Sequence, residues 1–227
     1  MSVTVPDDLL AGYRSTAYFW GRVAGNGEVD RDRLTVRTND EASAETISEI
    51  VDSEVDHDRT TRAYAHNTDI SKTEDEYTVE VTSHDLFGMS GSLGLPVDGR
   101  GNYRFGAFSD YRRDLLRGLL EGCGTICFKS SSGTVGVSFV HDDAELLEVV
   151  QQLIDDCPID APYGDLAATS SGGYWFGVDD DVAAYFGIWL YEATEETGLF
   201  APSRRRKLVQ SLNQATDVDF DRSQFDS

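Results

Sequence analysis

Lysine is scarce in this sequence, with only Lys72, Lys129 and Lys207 among 227 residues. Cysteine is scarcer in effect: Cys123, Cys127 and Cys157 form an odd set with no disulfide framework, which suits a reducing cytoplasm and a cytoplasmic protein. No apolar run reaches the roughly 18 residues needed to span a bilayer. The start, Met1 to Leu10, lacks the basic-then-apolar order of a signal segment, so a soluble chain without a membrane partner is expected. Phosphate-cradling glycine motifs of the P-loop or dinucleotide kind are absent. The histidines His57, His66 and His84 have no visible nucleophile partner, so the sequence gives no basis for a hydrolytic triad.

Acids are abundant. Forty-one Asp and Glu stand against 19 Lys and Arg, a formal charge of -22. Such an acid-rich, lysine-poor composition is similar to that of proteins from extreme halophiles. In dilute salt this charge would oppose DNA, because phosphate binding rests on Lys and Arg. In molar salt the screening length is about 3 Å, so distant acids lose influence and local contacts decide. The net charge therefore leaves DNA open as a partner.

One stretch occurs twice. Near the amino end the chain reads Tyr18-Phe19-Trp20-Gly21-Arg22-Val23-Ala24-Gly25-Asn26-Gly27, and near the middle Leu115-Leu116-Arg117-Gly118-Leu119-Leu120-Glu121-Gly122-Cys123-Gly124. Three glycine pairs share one offset of 97 residues (118 − 21, 122 − 25, 124 − 27). Small residues four apart lie on one helix face and let two backbones approach, so Gly21, Gly25, Gly118 and Gly122 suit two helices packed against each other. Gly27 and Gly124 can end them.

The order of elements repeats as well. The first helix is expected at about Pro6 to Gly25, then a hairpin of Gly27 to Val29 and Arg33 to Thr38. An Asp40-capped helix carries Ile47, Ile50 and Val51. Strands near Arg59 to His66 and Glu76 to Thr82 follow, and a short helix near Asp85 to Leu95 closes the half. The second copy has a helix at about Ser109 to Gly122 and a hairpin of Thr125 to Lys129 and Thr134 to Val140. Val150, Leu153 and Ile154 match Ile47, Ile50 and Val51 at an offset of 103, because the hairpin turn is longer; Tyr174 and Phe176 match Tyr77 and Val79 at 97 again. A third helix lies within Asp179 to Thr197, and a further one starts near Pro202. Pro96 to Asn102 is the linker candidate. The fold class expected is α+β, with halves 1–98 and 99–227 in the order helix, hairpin, helix, hairpin, helix, and a loose acidic tail after Asn213.

On these two motifs the sequence resembles the LAGLIDADG homing endonuclease family in its single-chain form. The resemblance implies paired motif helices between two pseudo-symmetric halves, each lowering an acid toward a metal at the scissile phosphate. Carried over by position, those acids fall on Asn26 and Cys123, and neither is a carboxylate. The resemblance thus implies a pseudoenzyme without a catalytic residue or cofactor. Magnesium enters only under the alternative of a divergent endonuclease or RNA-splicing maturase, for which Glu28 and Glu121 are the first acids to test.

The resemblance further implies that each half lays a sheet in the DNA groove. The outward positions are then Arg31, Arg33, Arg37, Arg62 and Tyr64 in the first half and Lys129, with Trp175 beside it, in the second. Alternation puts Leu34 and Val36 on one face of their strand and Arg33, Thr35 and Arg37 on the other, giving a basic face. Its bland counterpart is a solvated surface of ion pairs. Arg204 to Lys207 reads equally as a phosphate-contacting patch or a solubilising helix start. Trp20, Trp175 and Trp189 read as packing residues rather than stacking platforms. Cys123, Cys127 and His141 lack a fourth zinc ligand at a familiar spacing, so buried thiols are the preferred reading.

The leading function is a non-cleaving DNA-binding protein, a transcriptional regulator, acting as a monomer with an internal pseudo-two-fold. Inactive versions of the resembled fold occur in sporulation-control regulators joined to a helix-turn-helix module; no separate module of that kind is visible here. A scaffold that binds a protein partner without DNA is the third reading.

Overall fold

The structure is a computed structural model that describes residues 8–30, 32–64, 67–82, 92–95, 101–216, 218, 220 and 225, with the backbone alone for 62–64 and 67–72. Two helices pack at its centre: α1 (Arg14–Asn26) and α3 (Arg112–Cys123). Each begins a half, and every residue of α1 from Ser15 to Gly25 is buried. A Cβ on Gly21 would stand 3.1 Å from Gly118 Cα, and one on Gly25 would stand 3.0 Å from Gly122 Cα. These contacts are backbone against backbone, which no side-chain rotamer can relieve, so the crossing requires glycine on both helices.

The first half continues with β1 (Gly27–Val29), β2 (Arg33–Thr38), α2 (Glu41–Val51), β3 (Val55–Tyr64) and β4 (Asn67–Thr82). After a 3-10 turn at Gly106–Tyr111, α3 leads into β5 (Gly124–Lys129), β6 (Thr134–His141), α4 (Ala144–Asp155), β7 (Ala167–Ala168), β8 (Tyr174–Gly177), α5 (Asp180–Tyr191), α6 (Thr194–Thr197) and α7 (Pro202–Gln214). The two four-stranded antiparallel sheets have equivalent orders, β1-β2-β4-β3 and β5-β6-β8-β7. Their registers are equivalent too. Gly27 faces Val36 as Gly124 faces Phe139, and Val36 faces Val79 as Phe139 faces Phe176. The fold is thus α+β with two similar halves.

Alternation turns Leu34, Val36 and Val79 of one sheet, and Ile126, Val135, Val137, Phe139 and Phe176 of the other, into the core. The helix caps repeat at an offset of 103 (143 − 40). Asp40 Oδ1 accepts from the Ser43 N–H and Asp143 Oδ1 from the Glu145 N–H, each at its own helix start. The second oxygen of each ties in a distant segment. Asp40 Oδ2 accepts from the Ser203 N–H of α7 at 2.7 Å, and Asp143 Oδ2 from the Tyr103 hydroxyl at 2.8 Å.

Four expectations change. Helix α1 starts at Arg14, not near Pro6, because the Thr16 hydroxyl accepts from the Tyr13 N–H while Tyr13 itself is extended; the preceding strand of chain folds back so that Leu9 O accepts from Trp20 Nε1. Strands β3 and β4 pair over a longer ladder than the sequence pattern shows. The tail is not loose at Phe225, which is buried, with the Arg205 guanidinium over its ring. Trp175 is 44% exposed, because on β8 it lies opposite the buried Phe176, whereas Trp20 and Trp189 are buried. The short helix expected near Asp85 lies mostly outside the described residues, as do residues 96–100 of the linker expected at Pro96 to Asn102.

Candidate nucleic-acid interface

Helices α1 and α3 both run out at the same end of the molecule, and Asn26 and Cys123 are their last residues. Asn26 Nδ2 donates to the Arg37 carbonyl at 2.9 Å, which leaves one neutral amide oxygen. The Cys123 thiol donates to the Leu119 carbonyl one turn back, and burial pushes its pKa up to about 12. Such a thiol is a structural group, not a nucleophile or a ready ligand.

Beside these ends lies a cleft of about 430 Å³ lined by Arg22, Asn26, Arg37, Asp40, Glu121, Ser203, Arg204 and Lys207 among others. Glu121 is fully engaged. Its Oε2 accepts from the Tyr18 hydroxyl at 2.6 Å and its Oε1 from the Ala201 N–H at 2.9 Å, while Arg22 Nη1 stands 3.7 Å from Oε2. Desolvation raises the Glu121 pKa against the opposing pull of Arg22, and burial together with the Glu121 charge raises that of Tyr18. Glu28, the other acid weighed for catalysis, is exposed and paired with Arg37 at 2.5 Å. Neither acid presents a free carboxylate at the helix ends.

Arg117, within the second motif, is also buried. Its guanidinium donates to the Leu190 and Leu199 carbonyls and to Asp114, so it fastens the end of α5 and the approach to α7. The run Arg204 to Lys207 divides by helical phase. Arg205 turns inward to Glu195, Phe200 and Phe225, whereas Arg204 and Lys207, three apart, line the cleft.

The outer face of the first sheet is not basic. Arg33 lies 3.9 Å from Glu80, and Arg37 lies between Glu28 and, at 4.0 Å, Glu76. Asp56 and Asp58 of β3 face Thr78 and Glu76 in the ladder, adding acids to the same face. Thr35 is buried despite its outward parity, because the longer Arg and Glu side chains beside it cover a short residue. On β3, Arg59 and His57 share Asp75. These arginines bring acids with them, which the sequence order of the strands conceals. Arg31 lies outside the described residues, and of Arg62 and Tyr64 only the backbone is described, in β3.

The outer face of the second sheet is nearly neutral. It presents Thr125, Cys127, Ser138, Val140 and Trp175, with Val140 and Trp175 directly opposite each other and about equally exposed. Lys129 stands at its edge and is paired with Asp180.

A LAGLIDADG family described as "Putative archaeal homing endonuclease" matches residues 1–218. The chain belongs to the LAGLIDADG family. Comparison with curated proteins yields no match. Among solved structures, it is similar to the homing endonuclease I-WcaI bound to its DNA recognition sequence, with a TM-score of 0.55 and 13% identity over 87% of each chain. It is similar to mesophilic variants of the homing endonuclease I-DmoI, with a TM-score of 0.51 and 13% identity over 82% of this chain and 94% of that one. Full-length DUF199/WhiA from Thermatoga maritima matches with a TM-score of 0.52 and 13% identity over 98% of this chain, which spans 66% of the length of that protein. At these identities the likeness concerns the fold.

A divalent ion held by LAGLIDADG motif acids needs hard, anionic oxygens. Here one motif ends in an amide already committed to a backbone carbonyl and the other in a protonated thiol. The residues do not fit such an ion. Among the described residues no group of three or more His, Cys, Asp and Glu is arranged to hold a metal, which applies equally to Cys123, Cys127 and His141; His141 Nδ1 accepts from the Asp143 N–H instead.

Proposed function

We propose that this LAGLIDADG chain binds DNA without cutting it and acts as a transcriptional regulator. The observation that carries the reading is the pair of motif-helix ends, which hold Asn26 and Cys123 where cleavage chemistry requires carboxylates. Without paired acids there is no means of activating water, whereas the scaffold that sets two sheets about a central helix pair is intact. The similar fold of I-WcaI, which is bound to DNA, supports DNA as the partner. A site that is occupied and left uncut blocks or recruits other proteins, which is the basis of the regulatory role.

Binding takes place in concentrated salt, in keeping with an acid-rich, halophile-like composition. Arg33, Arg37 and Lys129 are the outward contacts, and DNA competes with their acid partners for them. One chain supplies both pseudo-symmetric halves, so a monomer suffices. The test is binding of genomic DNA fragments in a potassium chloride series, run beside a cleavage assay in magnesium and manganese. Retention of DNA without nicking is expected. Cleavage in either metal would overturn the non-cleaving reading, and absence of binding at every salt would overturn the DNA reading.

A further inference from the structure

The helix pair has a second end, away from the motif residues. At the start of α3, roughly 18 Å along that helix from Cys123, a cavity of about 410 Å³ opens between the 3-10 turn, α3 and the junction of α5 with α6. That volume suits a small molecule. Most of the charge around it is already matched. Arg113 pairs with Glu192 at 3.3 Å and lies over the Trp189 ring, Arg117 is held by Asp114, and Arg112 donates to the Asp156 carbonyl and carboxylate.

Three charges in the lining are left over. Among the described residues Arg14, of one sign, and Asp110 and Glu196, of the other, have no ion-pair partner. Arg112 adds a spare donor, since its Nε is shielded from water and has no hydrogen-bond partner, while the side chain as a whole is 26% exposed and can be reached. A shielded N–H of a charged group without an acceptor is costly, which favours an acceptor from outside. Ala193, between α5 and α6, lines the same cavity in a left-handed conformation (φ 57°, ψ 21°) that alanine seldom adopts, and strain of this kind gathers at ligand clamps. Trp189, Tyr111 and Pro158 complete the lining with apolar surface.

We propose that this cavity binds a free α-amino acid with an apolar side chain. The carboxylate answers Arg14 and the Arg112 Nε, the ammonium answers Asp110 and Glu196, and the side chain lies against Trp189 and Tyr111. A simple anion would leave two acids unanswered, and a simple amine would leave both arginine donors unanswered. Only a ligand carrying both signs meets all of them. No covalent step is involved, and the site goes beyond the DNA reading and does not depend on it.

The test is isothermal titration calorimetry in high potassium chloride. L-leucine and L-phenylalanine are titrated into wild type, beside the N-acetyl derivative of each, which lacks the ammonium, and the amide of each, which lacks the carboxylate. At least one of the two amino acids should bind, and both of its derivatives should bind about tenfold or more weakly by comparison. Arg14→Gln and Glu196→Gln, at exposed positions and checked for an unchanged melt, should each weaken the amino acid by a similar factor.

Absence of heat from both amino acids would overturn the assignment. A derivative that binds as tightly as its parent would reduce the cavity to a seat for one charge and overturn the zwitterion. Unchanged affinity in both variants would place the binding elsewhere on the molecule. None of these results touches the DNA reading, which is measured separately.

Discussion

The outer faces of the two sheets descend from one pattern and have diverged completely. Strand order, register and core parity agree between the halves. Yet one outer face interleaves Arg33 and Arg37 with Glu28, Glu76 and Glu80, and the other is neutral, with Val140 and Trp175 exposed. The difference teaches that duplication fixes what packs and leaves free what faces outward. A face that recognises an asymmetric surface needs this freedom, since two identical faces would read only a symmetric one.

What the halves share should be the easiest to break. Gly21→Leu and Gly118→Leu each force a side chain into the opposing backbone, and both should cost about 3 kcal/mol or more. For a chain of this size that lowers Tm by roughly 6 to 12 °C, measured by thermal unfolding in high potassium chloride. Gly106→Ala, which meets nothing within 4 Å, is the matched control. Tolerance of leucine at either glycine would mean that the halves do not meet as equals.

A smaller effect belongs to one side of the pair alone, because the 97-residue offset sets Ala24 against Glu121. Glu121→Gln turns an amide NH₂ toward the Tyr18 hydroxyl or the Ala201 N–H, and should cost about 1–3 kcal/mol at neutral pH. The pH dependence has a definite sign. The folded pKa of Glu121 is raised above its ordinary 4.5, so the native state binds more protons and wild type loses stability as pH rises from about 4.5 through that raised value. The gap between wild type and variant should therefore narrow with rising pH in urea titrations. A gap that widens would place a stabilising carboxylate there instead.

Third comes the charged face. Glu28→Gln with Glu80→Gln removes the nearest acid from Arg37 and from Arg33, so DNA affinity should rise and the salt slope steepen, by about one unit for each arginine released. Arg33→Gln with Arg37→Gln should do the reverse, with stability changed by no more than about 0.5 kcal/mol. Identical binding curves for both pairs would make this face a solvated surface.

The smallest stability change is expected on the neutral face. Trp175→Ser should shift unfolding by about 0.5 kcal/mol or less, since the ring is largely outside the core. Any loss of DNA affinity should leave the salt slope unchanged, because an indole releases no counterion. A changed slope would show that the two faces differ less than their composition suggests.

The glycine pairs, the offsets of 97 and 103 and the Asp40 cap were legible in the sequence because each is local or repeats. Asn26 and Cys123 were legible for the same reason, as departures from a motif. The partners of Arg33 and Arg37 on β4, Glu80 and Glu76, were not, because they depend on how strands distant in sequence align, and no local pattern encodes that register. Arg22 beside Glu121 was hidden further still, since it joins the two copies across the helix crossing. The signal that could have exposed it is the charged pair inside otherwise small or apolar motif positions, which seldom stay buried without partners.

The backbone contact between Gly21 and Gly118 also sets a timetable for synthesis. The two glycines are 97 residues apart, and a ribosome adding about 5–20 residues per second needs roughly 5 to 20 s to cover that distance. Throughout that interval α1 has no partner for its glycine face, and Tyr18 and Arg22 lack the Glu121 that later receives them. The amino-terminal half is thus born incomplete, and its greatest exposure to chaperones and proteases falls in the interval before the second copy of the motif has been made.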